Sequence, residues 1–351
     1  MAVLPGVLLA LALAISGAFL AEWLGADLLG LPRSPISPIM MAILLGMLLR
    51  NTLMLPAWLE PGIRFSLVRI LRAGIVLLGI RLGLAEAGAI GMQGLPIIIG
   101  CVAAALILVT WLSRRIGLGG RLGTLIAAGT GICGATAIVA LSPTIRAKAD
   151  ETAYAIACIT LFGVAAMLAY PFLAHALLDG DALKVGLFLG TSVHETAQVA
   201  GAGLVYQQYF GSAEALNVAT VTKLVRNLGM LVVIPLLGIW HHRSGKADGS
   251  RPGLLSMVPL FVVGFALMSL LRTLGDMTDP AFGFLNADAW GQVVSVTREA
   301  AEVCLGVAMA AVGLGTRLAG LREIGFKPLG VGLFSAVLVG GVSWALIQAL
   351  V

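Results

Sequence analysis

Runs of about twenty apolar residues alternate with short polar breaks along this chain. A helix needs about 20 consecutive apolar residues to cross a bilayer. The pattern predicts such spans near 4–23, 37–55, 66–84, 94–113, 122–142, 152–173, 182–205, 213–239, 254–273, 299–317 and 328–350. That is an all-α integral membrane protein with about eleven transmembrane helices. The first apolar stretch, residues 1–21, has no basic leader and is expected to be a transmembrane helix rather than a cleaved signal peptide. The longest polar stretches, 241–252 and 275–297, are too short to bury a soluble core.

Composition agrees. The 351 residues are 59% hydrophobic and 11% charged, whereas a soluble domain carries roughly 25% charged residues. The 45 glycines suit helices packed closely through small side chains. The net charge of +5 is explained by topology rather than by a nucleic-acid partner. Loops on the side of the N-terminus hold Arg50, Arg64, Arg114, Arg115, Arg121, Lys184, Arg243, Lys246, Arg251, Arg317, Arg322 and Lys327. The opposite loops hold Arg33, Arg146, Lys148, Arg272 and Arg298. This asymmetry predicts an inner-membrane protein with a cytoplasmic N-terminus and an outside C-terminus. The four cysteines lie inside apolar segments without paired or metal-ligand spacing.

Laying the second to sixth spans on the seventh to eleventh suggests an internal repeat. Leu45-Gly46 matches Leu189-Gly190, and Arg69…Arg72 matches Lys223…Arg226. Pro96 matches Pro259, Gly129-Thr-Gly131 matches Gly313-Leu-Gly315, and Gly163-Val matches Gly341-Val. Five spans per repeat give opposite orientations. The expected organisation is a single transporter domain: an extra N-terminal helix over 1–30, then inverted five-helix repeats over 37–173 and 182–351. Inverted repeats of this kind place a binding site at the repeat interface in secondary transporters.

Four segments carry candidate chemistry. In the fifth span, Gly129, Thr130, Gly131, Cys133 and Gly134 sit in a stretch whose glycines disfavour a continuous helix. Gly313 and Gly315 predict a similar break in the tenth. Two crossed broken helices would aim half-helix N-termini at one point, and such termini attract anions. In the seventh span, Thr191, His194, Glu195 and Gln198 are polar groups at membrane depth, where ionisable residues mark function or form structural ion pairs. His194-Glu195-Thr-Ala-Gln198 falls one imidazole short of a His-Glu-x-x-His zinc motif. In the eighth span, Lys223, Arg226 and Asn227 share a face. With Arg72 and Arg81 they outnumber the deep carboxylates, which favours an anionic substrate over a cation and argues against a sodium–proton exchanger.

At these residues the chain resembles the YeiH family, whose members are named sulfate exporters. The resemblance rests on Arg72-Ala-Gly-Ile-Val-Leu-Leu-Gly-Ile-Arg81-Leu, Gly-Ile-Cys133-Gly-Ala, Val193-His194-Glu195-x-Ala-Gln198-Val and Ala308-Met-Ala-Ala-Val-Gly-Leu. It covers nearly the whole chain. The family is grouped with the bile-acid/sodium symporter and cation/proton antiporter superfamily. The resemblance therefore implies a panel domain, a core domain with two crossed broken helices, and elevator-like alternating access.

The expectation is a secondary active transporter of a small anion, with sulfate or another oxyanion foremost. A sodium-coupled organic-anion symporter using Glu195, Thr130 and backbone carbonyls is the alternative, and a channel or membrane sensor the different-class reading. The partners implied are the anion, a coupling Na+ or H+ and the lipid bilayer, with a homodimer as one assembly. Enzymatic activity, cofactors and a resident metal are not implied.

Overall fold

A computed structural model describes residues 3–24, 37–242, 259–317 and 325–351. Among them all regular structure is helical, apart from an isolated bridge between Ala281 and Leu285. The helices are α1 (Leu4–Glu22), α2 (Pro38–Thr52), α3 (Glu60–Phe65), α4 (Leu71–Leu78), α5 (Leu84–Ala104), α6 (Thr110–Arg115), α7 (Gly120–Gly131) and α8 (Ala135–Thr144). They continue with α9 (Ala149–Leu177), α10 (Ala182–Ser192), α11 (Thr196–Phe210), α12 (Ala213–Leu228), α13 (Met230–His242), α14 (Leu260–Asp276), α15 (Ala287–Gly315) and α16 (Phe326–Leu350). Five described helical runs are long and apolar enough to cross a membrane: Leu4–Glu22, Leu84–Arg115, Ala149–Leu177, Ala213–Trp240 and Phe326–Leu350. The expected ends of the first helix (25–30) and of the ninth span (254–258) lie outside the described residues.

The chain forms two compact units: Met1–Ala89 with Leu204–Ala213 and Leu260–Leu318, and Ile90–Gly203 with Glu214–Pro259 and Ala319–Val351. Each takes segments from both halves of the chain.

In the first unit small residues set the helix spacing. A Cβ on Gly46 of α2 would fall 2.6 Å from the Ala310 carbonyl oxygen of α15, and one on Gly313 would strike the Ile43 carbonyl. The two backbones therefore approach more closely than any side chain allows. This corrects one sequence expectation. Gly313 and Gly315 do not break their helix: α15 runs unbroken for 29 residues through Gly313 and ends at Gly315. The glycine at 313 is there for contact with α2, not for unwinding.

In the second unit α7 and α10 are enclosed on all sides, with every residue from Leu122 to Gly131 and from Val185 to Ser192 buried. Leu125, Ile126, Ile138 and Ile159 form the core around the first of them. α7, α8, α10 and α11 have 12, 10, 11 and 15 residues. At about 1.5 Å per residue none reaches across a ~30 Å hydrocarbon core alone. α7 with α8, and α10 with α11, are two interrupted helices, and each interruption leaves backbone polar groups inside the protein. That is tolerable at membrane depth only where protein or a water-lined cavity satisfies them.

Candidate functional site

The first interruption follows from Gly134. Its φ of 67° and ψ of −132° belong to a region that L-residues with side chains rarely adopt, so glycine is what allows the chain to turn there and restart as α8. The second uses no glycine. Ser192 ends α10, Val193 is extended (φ −77°, ψ 141°), and α11 restarts at Thr196. Each interruption leaves orphan carbonyls at the end of one half-helix and orphan amides at the start of the next.

Lys223 and Arg226 of α12 satisfy the carbonyl ends of both. The Lys223 ammonium donates to the carbonyls of Ile132 (3.0 Å), Val193 (3.1 Å) and His194. Those are all three of its donors. Arg226 donates through Nε to Gly131 O (2.7 Å), through Nη1 to Gly190 O (3.3 Å), Thr191 O (2.7 Å) and Val193 O (3.1 Å), and through Nη2 to Thr130 O. Both side chains are fully buried. A helix C-terminus carries roughly half a negative charge, and here two of them meet two cations. The charges are placed where sequence spacing puts them, on one face of α12, but they hold main-chain carbonyls rather than standing open to an anion.

Two serines of α16 brace the same half-helices. Thr130 donates to Ser335 Oγ at 3.1 Å, and the Thr191 and Ser343 hydroxyls share a 2.6 Å hydrogen bond. Both serines are buried. Sequence reasoning passes over them, because a serine in an apolar helix has no motif. The available signal is their spacing of eight, about two turns, on a face that also holds Gly332, Ala336 and Gly340.

The opposite, amide ends of α8 and α11 have a different chemistry. Glu195 Oε1 accepts from Ala135 N and from Thr160 Oγ1, both at 3.3 Å, so a carboxylate sits at the N-terminus of α8. A Cβ on Gly134 would run into this side chain. At the start of α11, Gln198 Oε1 accepts from Glu195 N at 3.1 Å while its amide donates to Thr160 O at 3.2 Å. Asn227 donates to Thr196 Oγ1 at 3.1 Å. Thr136 is exposed and Ala135, Thr160, Glu195 and Thr196 are half-buried, so the amide ends are more accessible than the carbonyl ends. Behind them His194 is fully buried, and among the described residues neither of its ring nitrogens, nor Asn227 Oδ1, nor Thr222 Oγ1, has a hydrogen-bond partner. Among the described residues no ion pair joins Glu195 to Lys223 or Arg226; the pairs present lie elsewhere, on Glu60, Glu302 and Asp276.

Of the residues expected in one site, Gly129, Thr130, Gly131, Cys133, Gly134, Thr191, His194, Glu195, Gln198, Lys223, Arg226 and Asn227 all belong to the second unit and line or support the two interruptions. Cys133 is buried, its thiol 3.2 Å from Met230 Sδ. Thr160, Thr196, Ser335 and Ser343 join them without having been singled out in the sequence. Arg72, Gly313 and Gly315 belong to the first unit. Arg72 is exposed, with its guanidinium 5.7 Å from the Phe261 ring centroid. It matches Lys223…Arg226 in sequence but lies at an outward-facing position of α4, so its spacing repeats without its role. Gly315 packs near Leu67.

Comparison with known proteins gives a consistent result. A family model described as Conserved hypothetical protein 698 matches residues 5–332. A UPF0324 membrane protein of Agrobacterium fabrum is 35% identical over 347 residues, covering 98% of this chain and 92% of its own. A UPF0324 membrane protein of Pseudomonas aeruginosa is 33% identical over 351 residues (96% and 92%), and one of Bordetella bronchiseptica 33% over 314 residues (88% and 92%). No solved structure matches the chain.

Proposed function

The chain belongs to the Conserved hypothetical protein 698 family of membrane proteins, and from that premise we propose that it is a secondary active transporter of a small anion, sulfate or another oxyanion. The observation that carries the reading is the pair of interrupted helices in one unit, with their carbonyl ends held by Lys223 and Arg226. Fixing those ends leaves the amide ends of α8 and α11 for a negative ligand, with two buried positive charges behind them. Non-helical backbone at membrane depth is characteristic of transporter sites. In this reading the interleaving of segments from both chain halves in each unit reflects two inverted repeats. The site unit moves against its scaffold in elevator-like alternating access, in an inner membrane with the N-terminus cytoplasmic and the C-terminus outside.

Glu195 sets the coupling. Its carboxylate occupies the N-terminus of α8 where a substrate oxyanion would bind. Two negative groups close together there repel. The anion therefore binds when Glu195 is neutralised by a proton or a coupling cation, and loading becomes stoichiometric. The test is sulfate uptake into proteoliposomes under an imposed proton or sodium gradient. Gradient-dependent uptake in the wild type and gradient-independent exchange in Glu195→Gln support this role; identical gradient dependence in both contradicts it.

The sodium-coupled organic-anion symporter remains the second reading. Its specific support is the set of oxygens on the Glu195 carboxylate and Thr160 Oγ1, 3.3 Å apart, and on Thr196 Oγ1 and Asn227 Oδ1, the last without a hydrogen-bond partner among the described residues; such oxygens are the ligands that hard cations take. Sodium, but not protons, driving the uptake would select it.

A further inference from the structure

A second feature of the site-bearing unit is unrelated to the interruptions. A groove with a volume of about 510 Å³ opens between the run from α5 into α6 and the end of α13. Its floor and walls are Leu106, Ile107, Trp111, Leu237 and Trp240, and Arg114 and Arg115 close one end. That end is where α6 stops. Trp111 and Trp240, both exposed, stand there one on each wall. Tryptophans at helix ends mark the headgroup level of a bilayer, so the apolar length of the groove faces acyl chains and its cationic end faces headgroups.

The arginines are held in place by aromatic faces. The Arg114 guanidinium lies 4.9 Å from the Trp240 ring centroid and that of Arg115 5.6 Å from Trp111. Each therefore rests on the indole of a different wall, and the two bracket the mouth. Among the described residues neither forms an ion pair with a carboxylate. Stacking on aromatic faces preorganises guanidinium groups for phosphate, which they grip with paired donors.

We propose that this groove is a binding site for an anionic phospholipid, with its phosphate between Arg114 and Arg115 and an acyl chain against Ile107 and Leu237. A soluble anion would leave the apolar length empty, and a zwitterionic lipid would bring an ammonium group against two cations. Basic pockets between transmembrane helices are where acidic headgroups are recognised. The proposal rests on the chain being a membrane protein and not on what it transports.

The test is native mass spectrometry of the purified full chain after delipidation, with phosphatidylglycerol and phosphatidylcholine of identical acyl chains. The wild type is expected to retain phosphatidylglycerol at least fivefold over phosphatidylcholine. Arg114→Gln/Arg115→Gln is expected to bring the ratio to parity, and Arg64→Gln, an exposed arginine of the other unit, to leave it unchanged. Should the double variant misfold, each single variant is expected to lower the ratio at least twofold. Parity in the wild type, or an unchanged ratio in the folded arginine variants, overturns the site. Displacement of bound lipid by equimolar glycerol phosphate would assign the arginines to a soluble anion and also overturn it.

Discussion

Gly134 carries two constraints, a backbone conformation suited to glycine and a side-chain-free surface against Glu195. Gly134→Ala is expected to cost about 1–3 kcal/mol from the backbone alone, and to push Glu195 away from Ala135 N. A lowered unfolding midpoint together with lost anion uptake would be the signature; unchanged uptake would separate Glu195 from the site. Lys223 and Arg226 make a different kind of prediction, because their partners are main-chain carbonyls. A buried acceptor left without a donor costs about 1–3 kcal/mol. Arg226 serves five carbonyls and Lys223 three, so Arg226→Gln is expected to lower the thermal midpoint further than Lys223→Gln. Adding Glu195→Gln to Lys223→Gln should not restore it, since the two side chains are not an ion pair. Full restoration would show that they are. The chemistry here was legible in the sequence: two cations three residues apart, and polar groups deep in an apolar span. Their partners were not, because a carbonyl acceptor belongs to every residue and leaves no mark in a side-chain pattern.

The same contrast holds for the helices that carry these residues. The break between α7 and α8 is readable because three glycines fall within six residues and each weakens a helix. The break between α10 and α11 has no glycine or proline between Ser192 and Thr196. There Lys223 and Arg226 take the carbonyls of Gly190, Thr191, Val193 and His194 as acceptors in place of helical amides. Tertiary contact, not local propensity, marks this break. Gly313 and Gly315 in turn suggested a break, yet Gly313 serves packing against α2 and Gly315 lies near Leu67. Gly313→Ala is accordingly expected to destabilise the first unit through its clash with the Ile43 carbonyl while leaving anion binding by the folded fraction unchanged. Weakened anion affinity in that variant would mean that α15 reaches the site chemistry after all. The α16 braces give a milder test. Ser335→Ala removes two buried hydrogen bonds, from Thr130 and to Gly332 O, and Ser343→Ala removes one, with Thr191; at about 0.5–1.5 kcal/mol each, both substitutions together are expected to loosen α7 and α10 enough to slow uptake. Hydrogen exchange at 124–132 and 185–193 would report it.

The transmembrane character and all-helical class of the protein follow from the spacing of apolar runs, and the placement of its cations predicts a topology that fusions test. A reporter fused after Val351 is expected outside and one inserted at Gly245 in the cytoplasm; both on one side would remove the odd number of spans. The division into two units was not readable, because segments distant in sequence, such as 90–203 and 319–351, join through buried apolar contact that no local pattern announces. In the proposed function an anion is carried at the two interruptions held by Lys223 and Arg226, with Glu195 as the gate. Radiolabelled sulfate uptake by proteoliposomes of wild-type protein and of folded Glu195→Gln, with and without an inward proton gradient, tests it. Accumulation above the external concentration that requires the gradient in the wild type, and mere equilibration in Glu195→Gln, is the expected result. Equal accumulation by both proteins, or a gradient-independent leak through the wild type, would contradict it.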